Sequence, residues 1–305
     1  MKKLCYILPE ASEKTHMKYN VEFLTALAEK GVDIYLILER GMGSRHELEN
    51  LKNKIGVTQI RYTGNGFSVW RAIKMLYYLT EARLSGYKKV YTHYSFIGSI
   101  LASISNPPKE TYYWNCGLPW NYKRPWLQEM YESFNYKAIS HFVTGTQGLA
   151  DKYAEHYNFP KSKNVVIPNW IDLEKVQQIV SDFNPESLKS ELNIGAEKVM
   201  FFNQRLAERK GAHYIVDILN NTQNTILIIT NDGPYKEKLV EELKTRNLFD
   251  RVRMLGRVPN DKVLQILTIC DLYILPSEEE GMSHSLMEAM AVGVPAVSFA
   301  VGGTK

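Results

Sequence analysis

Short apolar runs alternate with amphipathic stretches of helical length along the whole chain, and this alternation restricts the fold more than any other feature. In the first half, "KLCYILP", "VDIYLIL", "VTQIRYT", "KKVYTH", "ETYYWN" and "ISHFVT" read as strands. Between them, "MKYNVEFLTALAEKG", "FSVWRAIKMLYYLTEARLSG", "FIGSILASI" and "PWLQEMYESFNYKA" read as helices, the first stopping at Gly31. The second half repeats the theme, with strands "VMFFNQ", "TILIIT", "VRMLG", "DLYILP" and "PAVSF" and helices "AHYIVDILNN", "PYKEKLVEELKTRN", "DKVLQILTIC" and "SHSLMEAMAVG". Such alternation predicts parallel sheets covered by helices on both faces. The 305 residues exceed one ordinary core. The pattern breaks at Pro168 and Asn169, and a polar stretch to about residue 195 reads as weakly structured. The expected fold is therefore α/β, with two doubly wound Rossmann-like domains, 1–165 and 166–305, facing each other across a cleft.

The net charge of +4 conceals an asymmetry. Residues 1–165 hold 22 Lys and Arg against 14 Asp and Glu, and residues 166–305 hold 15 against 19. The first half also carries 26 of the 35 aromatic residues. Two such surfaces point to two different partners, with drift in surface composition as the alternative. The positive charge is spread without a basic run, which argues against nucleic acid. Cys5, Cys116 and Cys270 lie far apart without metal-ligand spacing, as expected of reduced thiols in a cytoplasm. The opening "MKKLCYILPEASEK" has too short an apolar run for a secretory signal, and no run of 18 apolar residues occurs.

The stretch "EEEGMSHSLMEAMAVGVPAVSF" sits at the carboxyl end of the expected strand "DLYILP". Gly281 lets the backbone turn sharply, and Ser283 can cap the helix that follows. The amides of that first turn make an anion site facing the cleft. Glu288, further along the helix, is placed to accept from sugar hydroxyls, and Glu280 can serve a second sugar. In "FFNQRLAERKGAHYIV", Arg205 and Lys210 lie in another loop between strand and helix, where two cations can neutralise a diphosphate; Arg209 is the weaker candidate. Hydroxyl acceptors flanking a phosphate site suit a nucleotide-sugar. The alternative is that Glu278–Glu280 are solvated loop charges and Glu288 an exposed helix residue.

Five segments in order, "VIPNWID" (166–172), "NQRLAERKG" (203–211), "NDGPYKEKL" (231–239), "MLGRVPNDKV" (254–263) and "PSEEEGMSHSLMEAMAVGVPAVSFAVGGT" (276–304), resemble the retaining GT-B glycosyltransferases of family 4, the glycosyltransferase group 1 type. The last contains that group's most specific signature, two glutamates separated by seven residues. The resemblance covers 164–305; over 1–163 only the layout and a few positions match. It implies that Arg205 and Lys210 hold the donor diphosphate, that Glu288 accepts from the ribose and that Glu280 contacts the donor sugar. It further implies that Gly281 and the amides of Met282, Ser283, His284 and Ser285 line sugar and phosphates, and that Arg257 and Val258 face the nucleobase. Arg205, Lys210 and Glu280 would carry the catalysis. No Asp-x-Asp occurs, so a metal clamp on the diphosphate is not expected and the two cations would take its place.

The first half departs from the family. "PEASEKTHMKYN" lacks the usual glycine pair, and the histidine often found after the fifth strand is replaced by "YYWNCG". That leaves Asn115, or His93 at the end of "KKVYTH", as acceptor-side candidates; a satisfied strand-end histidine is the alternative for His93. The chain also stops at "VGGTK" where the family continues, so it reads as a shortened or fragmentary form lacking the C-terminal end. The aromatic stretch "TYYWNCGLPWNYKRPW", with Lys123 and Arg124, suits sugar rings and phosphate-bearing acceptors, or else a tightly packed loop. Helix 67–85 mixes Phe67, Trp70, Ile73 and Leu76 with Arg71, Lys74 and Arg83. An inward-packed helix with a solvated basic face is expected, and contact with an anionic membrane surface is the alternative.

The resulting expectation is a metal-independent, cofactor-free retaining hexosyltransferase. It would use a UDP- or GDP-sugar and a glycan or lipid-linked acceptor in cell-surface glycan synthesis, in the cytoplasm or peripherally at the inner membrane face. A non-catalytic nucleotide-sugar-binding partner is the alternative. A dehydrogenase is disfavoured because no Gly-x-Gly-x-x-Gly follows "KLCYIL".

Overall fold

The computed structural model describes residues 2–10, 18–40, 45–64, 69–105 and 110–304. It divides into two compact units, Met1–Ile167 and Pro168–Lys305. Among the described residues, the first unit holds seven parallel strands: β1 (Lys2–Leu8), β2 (Val32–Leu38), β3 (Gln59–Tyr62), β4 (Val90–His93), β5 (Thr111–Trp114), β6 (His141–Thr144) and β7 (Asn164–Val166). They run in the order β3-β2-β1-β4-β5-β6-β7. The helices are α1 (Lys18–Glu29), α2 (Arg45–Ile55), α3 (Val69–Leu84), α4 (Phe96–Ser105), α5 (Trp126–Ala138) and α6 (Gln147–His156). β2 is buried along nearly its whole length and β1 from Cys5 to Leu8, as strands covered on both faces must be. One core packs Cys5, Ile7 and Ile37 against Met75 and Leu79 of α3 and Ala102 of α4; the other packs Tyr6, Leu8 and Leu36 against Val21 and Leu24 of α1.

The second unit has the parallel order β10-β9-β8-β11-β12, from β8 (Lys198–Asn203), β9 (Thr225–Thr230), β10 (Val252–Gly256), β11 (Leu272–Leu275) and β12 (Ala296–Ser298). Its helices are α7 (Leu173–Ser181), α8 (Pro185–Glu191), α9 (Ile215–Asn220), α10 (Lys236–Thr245), α11 (Asn260–Leu267) and α12 (His284–Val292). The strand order reverses between β8 and β11, and ligands of open α/β sheets bind at the carboxyl ends of such a pair. Both units are thus Rossmann-like, as the alternation predicts.

Three expectations need correction. The stretch to residue 195 is not weakly structured: it forms α7 and α8, capped by Asp172 accepting from the Lys175 amide and by Asn184 accepting from the Glu186 amide. Val176 and Leu188 bury into the second core, so these helices belong to that unit. The α3 helix does pack inward with Lys74 and Arg83 exposed, as expected, but not through the apolar residues singled out from the sequence. Met75, Leu79 and Ala82 face inward, whereas Trp70, Ile73 and Leu76 are exposed. Finally, Arg124 is no free phosphate ligand, because Glu129 and Glu132 both pair with it. The segment "ASEKTHM" and Phe67 lie outside the described residues. Among the described residues no helix is long and apolar enough to cross a membrane.

Asp271 fastens the central strand pair. Its carboxylate accepts from the Val199 amide at 2.8 Å and from Lys198 Nζ at 2.8 Å, while its own amide donates to the Val199 carbonyl. Burial alone would push this carboxyl up, but Lys198 and the Val199 amide outweigh it and hold it below its usual range. A depressed folded value means that the stabilisation is complete above the unfolded value, about pH 4, and is lost as pH falls through the folded value. Asp271→Asn should therefore cost about 1 kcal/mol at pH 7, a figure kept low because the carboxylate is partly solvated. In urea unfolding the gap to wild type should close as pH drops below about 4.

Candidate functional site

The loops after β8 and β11 are locked together by close backbone approaches. Leu206, buried in the loop after β8, donates its amide to the Asp232 carbonyl and accepts from the Tyr235 amide. Gly233 lies so near that an added Cβ would sit 2.1 Å from the Leu206 carbonyl oxygen. A 3-10 turn over Glu208–Lys210 ends at Gly211, at φ +75°, where an added Cβ would meet the Pro276 carbonyl oxygen at 1.9 Å. The Glu278 amide then donates to the Arg209 carbonyl at 3.1 Å. Glycine is needed at 211 both for its left-handed backbone and for lack of room.

This junction sets Lys210 directly against the glutamate loop. Lys210 Nζ donates to Glu280 Oε1 at 2.7 Å and to the Glu279 carbonyl at 3.2 Å, and the two charged side chains are only 15% and 7% exposed. Gly302 and Gly303 lie on the same loop. A Cβ at Gly302 would reach the Glu280 carbonyl oxygen, and the Gly303 amide donates to the Gly281 carbonyl at 2.6 Å. Arg205 is exposed and makes no hydrogen bond or ion pair among the described residues.

Ser283 caps α12 as expected, accepting from the Leu286 amide. Asn169, from the "VIPNWID" segment, donates to the Met282 carbonyl at 2.7 Å and fixes the turn before the cap. Ser285 Oγ lies 3.0 Å from Ser283 Oγ and accepts from Gln204 Nε2 at 2.6 Å. Gln204 also reaches the Tyr273 hydroxyl, whose titration burial pushes far above the usual phenol range. Gly281 and His284 are both half-buried. One turn into α12, Glu288 is 4% exposed and accepts from Asn260 Nδ2 at 2.6 Å. It is therefore a buried, oriented carboxylate rather than a solvated helix residue. Arg257 is exposed and Val258 half-buried in the loop between β10 and α11. The Gly233 amide, with help from Lys236 and Arg257, holds the Asp232 carboxyl below its usual range.

The structure thus gathers the predicted second-half residues at the carboxyl ends of β8, β10 and β11, with Lys210 and Glu280 in contact. His93 and Asn115 belong to the other unit, at the ends of β4 and β5. His93 is buried and stacks on Trp114 at 4.2 Å between centroids. Asn115 Nδ2 donates to the Tyr136 hydroxyl at 2.9 Å, and its Oδ1 accepts from the Cys116 amide. Sequence reasoning missed Asn260, Gln204 and Asn169 as partners of the site, although all three stand in or beside segments it singled out.

Comparison with known proteins agrees with this layout. Residues 18–175 match Glycosyltransferase Family 4, and residues 184–305 match Glycosyl transferases group 1. The chain belongs to glycosyltransferase family 4. It is 31% identical over 162 residues to the 2-deoxystreptamine N-acetyl-D-glucosaminyltransferase of Niallia circulans, a match covering 51% of this chain and 41% of that protein. Across three of its curated relatives the match spans 37 to 41% of their length. Among solved structures, Anabaena HepE in complex with UDP and glucose superposes with a TM-score of 0.76 at 16% identity, covering 100% of this chain and 82% of that one. A glycosyltransferase from Rickettsia africae gives 0.74 at 16%, covering 99% and 80%. The two Rossmann-like units therefore have the GT-B glycosyltransferase fold.

Gly211→Ala should be severe, because the added methyl group collides with backbone rather than with a side chain that can move. We expect a loss of at least about 2 kcal/mol in urea unfolding, combining left-handed strain with displacement of the Pro276 strand end. Gly148→Ala, where an added Cβ meets nothing within 4 Å, should be nearly neutral in the same assay.

Proposed function

We propose that the chain is a retaining glycosyltransferase that moves a hexose-type sugar from a UDP- or GDP-sugar to a glycan or lipid-linked acceptor in cell-surface glycan synthesis. The observation that carries this reading is the Lys210–Glu280 pair beside the capped start of α12, with the oriented carboxylate of Glu288 one turn further on. The family membership and the UDP and glucose bound by Anabaena HepE support the donor class.

In this reading Lys210 and the free guanidinium of Arg205 hold the diphosphate, aided by the amides at the start of α12. Glu280 accepts from hydroxyls of the donor sugar and Glu288 from those of the ribose, its second partner Asn260 fixing the carboxylate plane. Arg257 and Val258 lie beside the base. The bond from the anomeric carbon to the β-phosphate oxygen breaks as the acceptor oxygen attacks the same face. The acceptor proton passes to the departing phosphate, whose growing charge the two cations stabilise. Acceptor binding falls to the first unit, with His93 and Asn115 as candidates.

Purified protein offered a panel of UDP- and GDP-sugars with lipid-linked and soluble acceptors should release nucleotide with one sugar class above the others. Release with none of them, in a protein that binds the nucleotides, would leave the non-catalytic reading standing. Lys210→Ala or Arg205→Ala removes a charge-assisted contact with the diphosphate, an effect of about 2–4 kcal/mol on the transition state. Turnover should fall about 30- to 1000-fold with the fold unchanged. Near-native turnover in folded Lys210→Ala would refute the assignment. Because the two cations supply the neutralising charge, turnover in excess EDTA should equal that with added magnesium or manganese. Reversible loss in EDTA would contradict it.

A further inference from the structure

Two consecutive carboxamides tie the end of β8 to the elements on either side of it. Asn203 Oδ1 accepts from Thr230 Oγ1 at 2.8 Å and from Asn231 Nδ2 at 2.7 Å, both at the end of β9. Gln204 serves β11 and α12 instead: its Nε2 donates to the Tyr273 hydroxyl at 3.4 Å and to Ser285 Oγ at 2.6 Å. Tyr273 is fully buried in β11 and packs edge-on against Phe201 of β8, so its hydroxyl is a fixed post for the carboxamide. Arg205 follows Gln204 directly and is exposed.

Counting protons shows what this array can do. Ser283 Oγ accepts from the Leu286 amide and lies 3.0 Å from Ser285 Oγ, so one of the two serines donates to the other. Were Ser285 the donor, the Ser283 proton would be left without an acceptor among the described residues, and Ser283 is buried. With Ser283 as donor, Ser285 Oγ accepts twice, from Gln204 and from Ser283, and its own proton is uncommitted on a half-buried hydroxyl. Two accepted hydrogen bonds also make that hydroxyl a stronger donor. Ser285 is the second residue of α12, where the amide has no intrahelical acceptor either. A spare hydroxyl proton and a spare amide on one residue, at a helix start near Arg205, suit an oxyanion.

We infer that Gln204 is a positioning residue: anchored on Tyr273, it turns the Ser285 hydroxyl so that its proton meets a phosphate oxygen of the nucleoside diphosphate. This rests on the donor class proposed above, and binding is measured instead of turnover so that the two can fail separately. Wild type, Gln204→Met, Ser285→Ala and the double variant are titrated calorimetrically with UDP, GDP, uridine and guanosine. Each single variant should weaken the diphosphate that wild type binds by about three- to tenfold, the effect of one hydrogen bond, and leave the nucleoside unaffected. The double variant should bind no more weakly than the worse single variant, because Gln204 works through Ser285. Tyr273→Phe removes only the anchoring hydroxyl and should reproduce part of the loss; it stands in for Gln204→Met if that variant does not fold. Wild-type affinity in folded Gln204→Met or Tyr273→Phe would overturn the inference while the donor class stands. So would losses that add in the double variant, or an equal loss for nucleoside and diphosphate, which marks a general collapse of the loop. A wild-type protein that binds neither diphosphate would overturn both.

Discussion

The second unit depends on how closely its backbone segments approach at the β8/β11 reversal. Gly211 lies against the Pro276 carbonyl, Gly233 against Leu206, and Gly302 against the Glu280 carbonyl. At each place a side chain would enter another segment's backbone, so three separate loops are held to one arrangement. The consequence is chemical. Lys210 follows from the position of Gly211, Glu280 from the loop clamped by Gly302 and Gly303, and their ion pair forms without long, flexible side chains having to search for each other. A pair so shielded from water is costly to leave without further partners. In the proposed reading, an incoming diphosphate would take over the lysine, with Arg205 and the amides of α12 as its further partners.

The first unit is organised by aromatic packing instead. Tyr113, Tyr136, Phe142, Tyr153 and Tyr157 form one buried cluster. The hydroxyl of Tyr136 accepts from Asn115, and that of Tyr157 donates to Glu132. Much of the aromatic stretch that resembled a sugar platform serves this core: Tyr113 and Trp114 are buried, and Trp120 stacks on His156 at 4.3 Å. Only its edge, with Tyr122 and Trp126, remains exposed. Asn115 and His93 are accordingly held in fixed orientations by their neighbours, which is as much a packing role as a chemical one.

The strands and most helices were legible because apolar runs of four to seven residues betray a doubly covered parallel strand. The helices α7 and α8 were not, since each buries few residues and Pro185 looks like a breaker; yet it occupies the first helical position behind Asn184, where proline is favoured. The face by which α3 packs inward was not legible for a different reason. The helix has apolar residues on both faces, so periodicity alone could not tell which face, Met75 and Leu79 or Ile73 and Tyr77, meets the sheet. In the site, the charged residues were legible from their loop positions. Their partners were not, because Asn260 reaches Glu288 across 28 residues of sequence, and contacts at that range come only from the fold.

The central claim is that the β8/β11 junction recognises a nucleoside diphosphate through its phosphates. The most direct measurement is calorimetric titration of the protein with UDP, GDP and the matching nucleosides. The account predicts that one diphosphate binds at least about tenfold tighter than its nucleoside, as one or more charge-assisted contacts require, and that added salt weakens the diphosphate more than the nucleoside. Equal affinity for nucleoside and diphosphate, or no binding of either diphosphate, would contradict it.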